Sequence, residues 1–174
     1  MDKEENYEDI MSYDEAIYMD IAAPGEESQI ELVNIGTTKF DESSNPTEKS
    51  TQYIGQKSKT NIVTGYDNQF SMENDLIKNV KVLEALEKIF DRRLTGKAAQ
   101  RDVFVVKLWK PIADQANSFE AKKIRVSCVM SDKSRTPGEN IKLNGTLKGV
   151  GDFEYGTFDT NSKTFTAETS NTEE

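Results

Sequence analysis

Seven consecutive residues, Val103 to Trp109 (VFVVKLW), are almost wholly apolar and limit the choice of fold more than any other segment of the chain. A short run rich in β-branched and aromatic residues is typical of a strand that is buried on both faces. Pro111 follows and ends the run, because proline cannot donate to the hydrogen-bonded ladder. The segment therefore predicts a strand in the interior of a β-rich protein.

Alternation of apolar and polar residues predicts further strands on both sides of this run. The segments before it are Gln29 to Gly36, Gln52 to Ile54, Asn61 to Thr64, and Tyr66 to Met72. The segments after it are Lys122 to Met130, Ile141 to Leu147, and a hairpin formed by Phe153 to Phe158 with Thr164 to Ala167. Gly145 lies inside one of these patterns and predicts a bulge or bend there.

One helix is predicted between about Asp75 and Leu94, where Leu76, Val80, Leu83, Leu86 and Phe90 recur at spacings of three and four. Asn74 or Asp75 is the expected N-cap, Arg92 and Arg93 suit the last turn, and Gly96 suits the C′ position. The predicted fold class is mainly β, a β-sandwich or barrel of about seven to nine strands with one flanking helix at about 75–94.

The formal net charge of −9 is divided unevenly along the chain. Residues 1–31 carry −10, residues 168–174 carry −3, and the remainder carries +4. Pro24 and Gly25 punctuate the end of the acidic stretch. We therefore expect an acidic N-terminal arm over 1–27, a folded body over 28–167 and an acidic C-terminal tail over 168–174. The arm is expected either to be a solvated tail, with one or two helical turns around Tyr13 to Ile21, or to dock on a partner.

Several functional classes are excluded by what the sequence lacks. The 174 residues contain no histidine and a single cysteine, Cys128, so no internal disulfide and no cysteine-based zinc site can form. No apolar run approaches the ~20 residues of a membrane span. The acidic N-terminus does not resemble a secretory signal. We expect a protein made in a reducing cytoplasm that makes no membrane contact.

The remaining candidates for chemistry are weak. Glu84 and Glu87 share a helix face that is expected to be solvated, and Cys128 is expected to be an inert core thiol. Asp159 to Lys163 begins like a calcium loop but lacks the glycine and the final acid that such a loop requires. No nucleophile has a visible base. We therefore expect no enzyme activity, no catalytic residues, no metal and no cofactor.

Two surface features remain. Residues Asp41 to Ser50 (DESSNPTEKS) are polar, include Pro46 and predict a loop of about ten residues between strands. Lys123, Arg125 and Ser127 share one face of a strand, as do Lys142, Asn144 and Thr146 in the next strand. In a monomer such a face is the exposed side of a sheet, whereas in a ring it could be the wall of a lumen.

The order of these segments resembles that of the major tail (tail tube) proteins of long-tailed bacteriophages and related prophage elements. The resemblance covers about residues 28–167 and is closest in the final hairpin. The matching stretches are Asn34 to Phe40, Asn45-Pro46, Tyr53 to Gly55, Val63 to Tyr66, Phe70, the helix, Val103 to Trp109, and Leu143 to Ala167.

This resemblance implies a structural virion protein synthesised in the host bacterial cytoplasm. Six copies would form a ring, and rings would stack into a hollow tube. DNA would leave through this tube and would contact its wall only weakly. Other partners would be tail proteins such as the tape measure and tail terminator. The candidate inter-ring loop residues are Asp41, Glu42, Asn45, Pro46, Glu48 and Lys49. The candidate inter-subunit charge contacts join Lys123, Arg125 and Lys142 to acids of the arm, namely Asp9, Asp14 and Glu15.

Two alternatives stay open on the sequence. One is a tube subunit of a DNA-free device, such as a phage-tail-like bacteriocin or a contractile injection system. The other is a monomeric β-sandwich binding module. The tube subunits differ from the monomeric module in one observable property, which is assembly into rings or tubes.

Overall fold

The computed structural model describes residues 7–169, and within them lie eleven strands and one α-helix. The strands before the helix are β1 (Glu15–Asp20), β2 (Ile30–Leu32), β3 (Thr37–Ser43), β4 (Pro46–Thr51), β5 (Thr60–Tyr66) and β6 (Gln69–Asp75). Helix α1 spans Lys81–Asp91. The later strands are β7 (Gln100–Pro111), β8 (Ser118–Ser134), β9 (Lys142–Gly149), β10 (Glu154–Asp159) and β11 (Thr164–Ala167). Short 3-10 turns at Ser12–Asp14 and Gly96–Ala99 precede β1 and β7.

Nine strands form one antiparallel sheet in the order β2-β1-β7-β8-β9-β6-β3, and β10 pairs with both β8 and β11. Strands β4 and β5 form a separate two-stranded hairpin. The predicted class, a mainly β fold with one flanking helix, is confirmed. The strand count exceeds the predicted seven to nine because short or polar strands, such as β2 and β4, carry little apolar alternation.

The interior consists of two apolar clusters on opposite faces of β7. On one face, Val103 and Val105 pack with α1, which buries Val82, Leu86 and Ile89. On the other face, Phe104 and Val106 pack with aromatic residues of β1 and β10–β11. The four residues 103–106 are all at most 4% exposed. The predicted burial on both faces is therefore confirmed for residues 103–106, whereas residues 107–109 are half-buried.

Strand β1 is the largest departure from expectation in the N-terminal region. Residues 15–20 were expected in an arm with one or two helical turns, but they pair with both β7 and β2. Tyr18 and Met19 are buried. Six residues of extended backbone are stabilised here by hydrogen bonds to two neighbours and by burial, which outweigh the repulsion among the local acids. Among residues 7–21, the helical turn that the structure describes is the 3-10 turn at Ser12–Asp14.

The helix is shorter than its apolar pattern predicted. Asn74 and Asp75 were expected to cap it, but both belong to β6, and the Asn74 side chain donates a hydrogen bond to the carbonyl of Leu143 on β9. Val80 is the N-cap residue. The expected role of Gly96 at C′ is also wrong, because the chain takes its left-handed conformation earlier, at Arg93, with φ of 51°.

The predicted loop over 41–50 is mostly strand. Residues up to Ser43 complete β3, a two-residue turn follows, and β4 begins at Pro46. The polar sequence concealed this because β4 is exposed almost throughout, so its side chains need no apolar alternation. The bulge predicted at Gly145 lies instead on the neighbouring strand: Ser131 of β8 is the extra residue between Met130 and Asp132, while Gly145 stays in register with its partners.

Candidate assembly surfaces

The β4–β5 hairpin forms a sheet of its own and exposes large apolar side chains. Its two strands pair only with each other among the described residues. Tyr53 and Ile54 lie at its tip, and Ile54 is fully exposed. A two-stranded ribbon is marginally stable alone in water, and exposed apolar clusters mark interaction sites. The other exposed apolar residues of the hairpin are Ile62, Val63 and Tyr66.

The six residues predicted to form an inter-ring loop are divided between two elements. Asp41 and Glu42 lie in β3 of the main sheet, where Glu42 accepts a hydrogen bond from Lys122. Asn45 occupies the turn with a positive φ of 39°, and its side chain donates to the carbonyl of Asp67. The remaining three belong to β4 of the hairpin: Pro46, Glu48 and Lys49.

Two of the predicted inter-subunit cations have acidic partners within their own chain. Arg125 forms a bidentate pair with Asp102, which lies directly opposite it on β7. Hydrogen bonding to Asp102 raises the pKa of Arg125. Lys123 lies 3.8 Å from the Asp102 carboxylate and 3.9 Å from that of Glu154. A neighbouring subunit would have to compete with these partners.

Lys142 differs from the other two predicted cations. It lies at the start of β9, its side chain is exposed, and no ion pair of this residue occurs within residues 7–169. It is therefore free to meet an external carboxylate.

The predicted acids of the N-terminal segment lie beside the end of β7. Asp14 accepts a hydrogen bond from the Met11 amide and so fixes the turn before β1, while Asp9 is exposed. Glu15 pairs in register with Lys107. Burial raises the pKa of the Glu15 carboxyl, against the opposing effect of Lys122. Glu15 therefore belongs to the body of the sheet rather than to a free arm.

A wide groove of about 900 Å³ separates β1 and β2 from β3. The N-terminal segment contributes Ile10 and Met11 to it, and β7 contributes Leu108 and Trp109. The main sheet does not close here, because β2 and β3 are its two ends. An open sheet edge is a place where another chain can pair.

The candidates for chemistry have structural roles. Glu87 and Asp91 both bind the Lys133 ammonium, whose side chain is only 8% exposed. Asp159 accepts hydrogen bonds from the amides of Asn161 and Ser162 in the β10–β11 turn. Burial raises the pKa of Cys128 to about 12, so the thiol stays protonated at neutral pH.

Residues 7–169 contain no group of three or more acidic or cysteine side chains placed to hold a metal ion. No helix in that part of the chain has the length and apolarity needed to span a membrane.

The fold of this protein is similar to that of known structures. No protein-family model matches the sequence, and no curated protein matches it. One similar structure is a chain of the tail of an empty gene transfer agent particle, obtained by helical refinement with C6 symmetry. It is 14% identical with a TM-score of 0.58, over 91% of this chain and 100% of that one.

A second similar structure comes from the virion of a native gene transfer agent particle. It is 12% identical with a TM-score of 0.58, over 84% of this chain and 98% of that one. At these identities the likeness establishes the fold. The protein thus has the fold of chains from the tail and the virion of gene transfer agent particles, and the resemblance found in the sequence is confirmed at the level of the fold.

Proposed function

We propose that this protein is a structural subunit of the tail of a bacteriophage or phage-like particle. Its copies assemble into rings, and the rings stack into a hollow tube through which DNA passes. The observation that carries the proposal is the β4–β5 hairpin, whose exposed apolar side chains have no partner strand or helix among residues 7–169. Such a hairpin is best stabilised by a neighbouring subunit.

Support for a ring of six comes from the shared fold. The gene transfer agent tail was refined with C6 symmetry, and its chain is covered over its whole length by this one. Closing a ring also answers the problem of the open sheet ends at β2 and β3, because neighbouring subunits can cover them. The partners are therefore other copies of this chain and, at the ends of the tube, other tail proteins.

The polar face of the sheet, opposite α1, has the chemistry that a DNA conduit needs. Small, uncharged side chains lie at its centre, namely Ser127, Thr146 and Ser71 on adjacent strands. One exposed cation, Lys148, lies directly opposite Ser127 and forms no ion pair among residues 7–169. The strongest base on this face, Arg125, is neutralised by Asp102. A wall rich in unpaired cations would hold DNA through counterion release, whereas a wall of neutral and paired groups lets it slide.

The hairpin residues of the predicted inter-ring loop keep their assigned role. Pro46, Glu48 and Lys49 lie on β4, and the apolar tip at Tyr53 and Ile54 extends the contact. Of the predicted inter-subunit cations, Lys142 is proposed to meet a carboxylate of a neighbour. Lys123 and Arg125 are proposed to form their ion pairs within their own subunit.

Sedimentation velocity of the full chain tests the role of the hairpin. We expect the wild-type protein to form large, discrete assemblies and the variant Tyr53→Ser/Ile54→Ser to remain small. Tyr155→Ser, which removes an exposed aromatic residue elsewhere, is the matched control and should assemble normally. Equal assembly of the wild-type protein and the hairpin variant would remove the hairpin from the interface. A wild-type protein that never assembles would contradict the tail function itself.

A further inference from the structure

A basic hollow of about 400 Å³ lies between the end of α1 and the middle of β8, outside the surfaces described above. Apolar side chains contribute to its lining, including Ile89, Leu94 and Met130. Arg93 and Gly96 line it as well. The hollow therefore combines apolar surface with positive charge, which suits an acidic segment that also carries apolar side chains.

No carboxylate among residues 7–169 pairs with the cations around the basic hollow, although Arg93 donates a hydrogen bond to the carbonyl of Phe90 and stacks on its ring. Residues 92–101 contain four cations, Arg92, Arg93, Lys97 and Arg101, and no acid. None of the four forms an ion pair in the described part of the chain. The two acids that flank this stretch, Asp91 and Asp102, are bound to Lys133 and Arg125 respectively.

Two more acids lie in the loop after β1, which ends beside the start of β7. They are Glu26 and Glu27, and they form no ion pair with these cations either. The positive charge at the basic hollow therefore remains available to an external partner.

The buried side chain of Arg101 adds to the positive potential at the basic hollow. Its residue is only 6% exposed, and its Nη1 group donates to the carbonyls of Ala98 and Gln100 in the turn beside the hollow. Its Nε has no hydrogen-bond partner. A buried guanidinium without a carboxylate is costly to keep in a low-dielectric site, and an approaching anion would offset that cost.

The complementary surface lies at the other end of β7. The N-terminal segment, defined as Tyr7–Asp14, exposes Tyr7, Ile10 and Tyr13 between its acids. This segment shares a groove with Leu108 and Trp109, whereas the basic hollow is lined by Ala99. At a rise of ~3.3 Å per residue, the two surfaces are about 30 Å apart along the strand.

We propose that the basic hollow binds the N-terminal segment of a second copy of this chain. Because the two surfaces differ and lie at opposite ends of β7, the contact is head-to-tail. A head-to-tail contact repeats from one subunit to the next and generates a ring or a filament. The inference rests on the proposed self-assembly and names surfaces that join one subunit to the next.

Charge reversal and charge exchange test this contact directly. The hollow variant is Arg92→Glu/Lys97→Glu, which changes two exposed side chains that make no side-chain hydrogen bond in the described structure. The segment variant is Glu8→Lys/Asp9→Lys. The exchange variant carries all four substitutions and restores opposite charges on the two surfaces. Circular dichroism and thermal unfolding establish that each variant keeps its fold.

The readout is the protein concentration at which assemblies first form, measured by light scattering and by electron microscopy. We expect the hollow and segment variants each to raise that concentration by about tenfold or more, since close charge pairs at interfaces are strongly coupled. The exchange variant should recover most of the loss.

Three results would overturn the contact. Assembly of the hollow variant at the wild-type concentration would show that the hollow is not an interface, while the tail function would stand. Failure of the exchange variant to recover would mean that the hollow binds something other than this segment. A wild-type protein that forms no assemblies would remove the proposed function together with the contact.

Discussion

Arg125 on β8 and Asp102 on β7 face each other across the sheet and form a bidentate ion pair, with Nε–Oδ1 at 2.9 Å and Nη2–Oδ2 at 3.2 Å. The pair neutralises the middle of the polar face that is proposed to line the tube. Arg125, which the sequence predicted to contact a neighbouring subunit, therefore has its acidic partner in the same chain.

The Asp102–Arg125 pair is expected to add little to stability. The Arg125 side chain is 43% exposed, so solvent screens the attraction. We expect a double-mutant cycle with Asp102→Ala and Arg125→Ala to give a coupling of about 0.5–1 kcal/mol in the free energy of unfolding, falling as salt is added. Lys142→Ala is the control and should change stability by less than about 0.5 kcal/mol. A coupling unaffected by salt would mean that the pair is shielded from solvent.

Phe158 is expected to be among the most sensitive core positions. It is fully buried, and its ring lies 4.6 Å from that of Tyr18 and 5.5 Å from that of Phe104. We expect Phe158→Ala to lower the free energy of unfolding by about 3–5 kcal/mol, because it leaves a cavity between β1, β7 and β10. Chemical denaturation measures the loss. The exposed Tyr155, replaced by alanine, should lose far less, and equal losses would argue against packing of β10 on β1.

Cys128 should make stability depend on alkaline pH. Burial raises the pKa of its thiol to about 12, whereas an unfolded cysteine has a pKa of about 8.5. Above about pH 8.5 the unfolded chain loses this proton and the folded chain keeps it. The contribution of Cys128 is therefore complete below about pH 8.5 and is lost as the pH rises toward 12. Denaturation of the wild-type protein and Cys128→Ala at pH 7 and pH 10 should show a smaller stability gap at the higher pH. A constant gap would contradict the burial of the thiol.

Gly36 is expected to be required for both its conformation and its lack of a side chain. Its φ is +83°, and a Cβ there would lie 2.6 Å from the carbonyl oxygen of Asp75 and from Leu83 Cδ1. Gly138 has nearly the same φ, +80°, with nothing within 4 Å. We expect Gly138→Ala to cost about 1–2 kcal/mol from conformation alone, and Gly36→Ala about 1–3 kcal/mol more. Thermal unfolding compares them, and equal costs would show that the β6–α1 region yields to the added methyl group.

The strands that could be predicted are those whose burial produces a regular local pattern of apolar residues. Val103 to Trp109 identified the central strand, and the alternation from Lys122 to Met130 identified its neighbour. Strand β1 could not be predicted in this way, because its acids indicate a solvated segment while its partners in β7 lie 82 to 92 residues later in the chain. Helix α1 was overextended because Leu76 belongs to the core without belonging to the helix.

The candidate assembly surfaces could likewise be predicted only in part. The polar residues of β4 predicted an exposed element, and only the structure reveals that it is one arm of a hairpin with exposed Ile62 and Val63. Two of the four cations at 92–101, Arg92 and Arg93, were interpreted from the sequence as complements to the helix dipole. Their second property, the absence of any carboxylate partner within residues 7–169, depends on contacts between distant elements and has no signal in the local sequence.

Negative-stain electron microscopy of the purified 174-residue protein tests self-assembly directly. We expect rings with six-fold symmetry, or tubes of constant width built from such rings, and their loss when Tyr53 and Ile54 are replaced by serine. A protein that remains a monomer at every concentration, with no ring or tube in any field, would contradict this expectation.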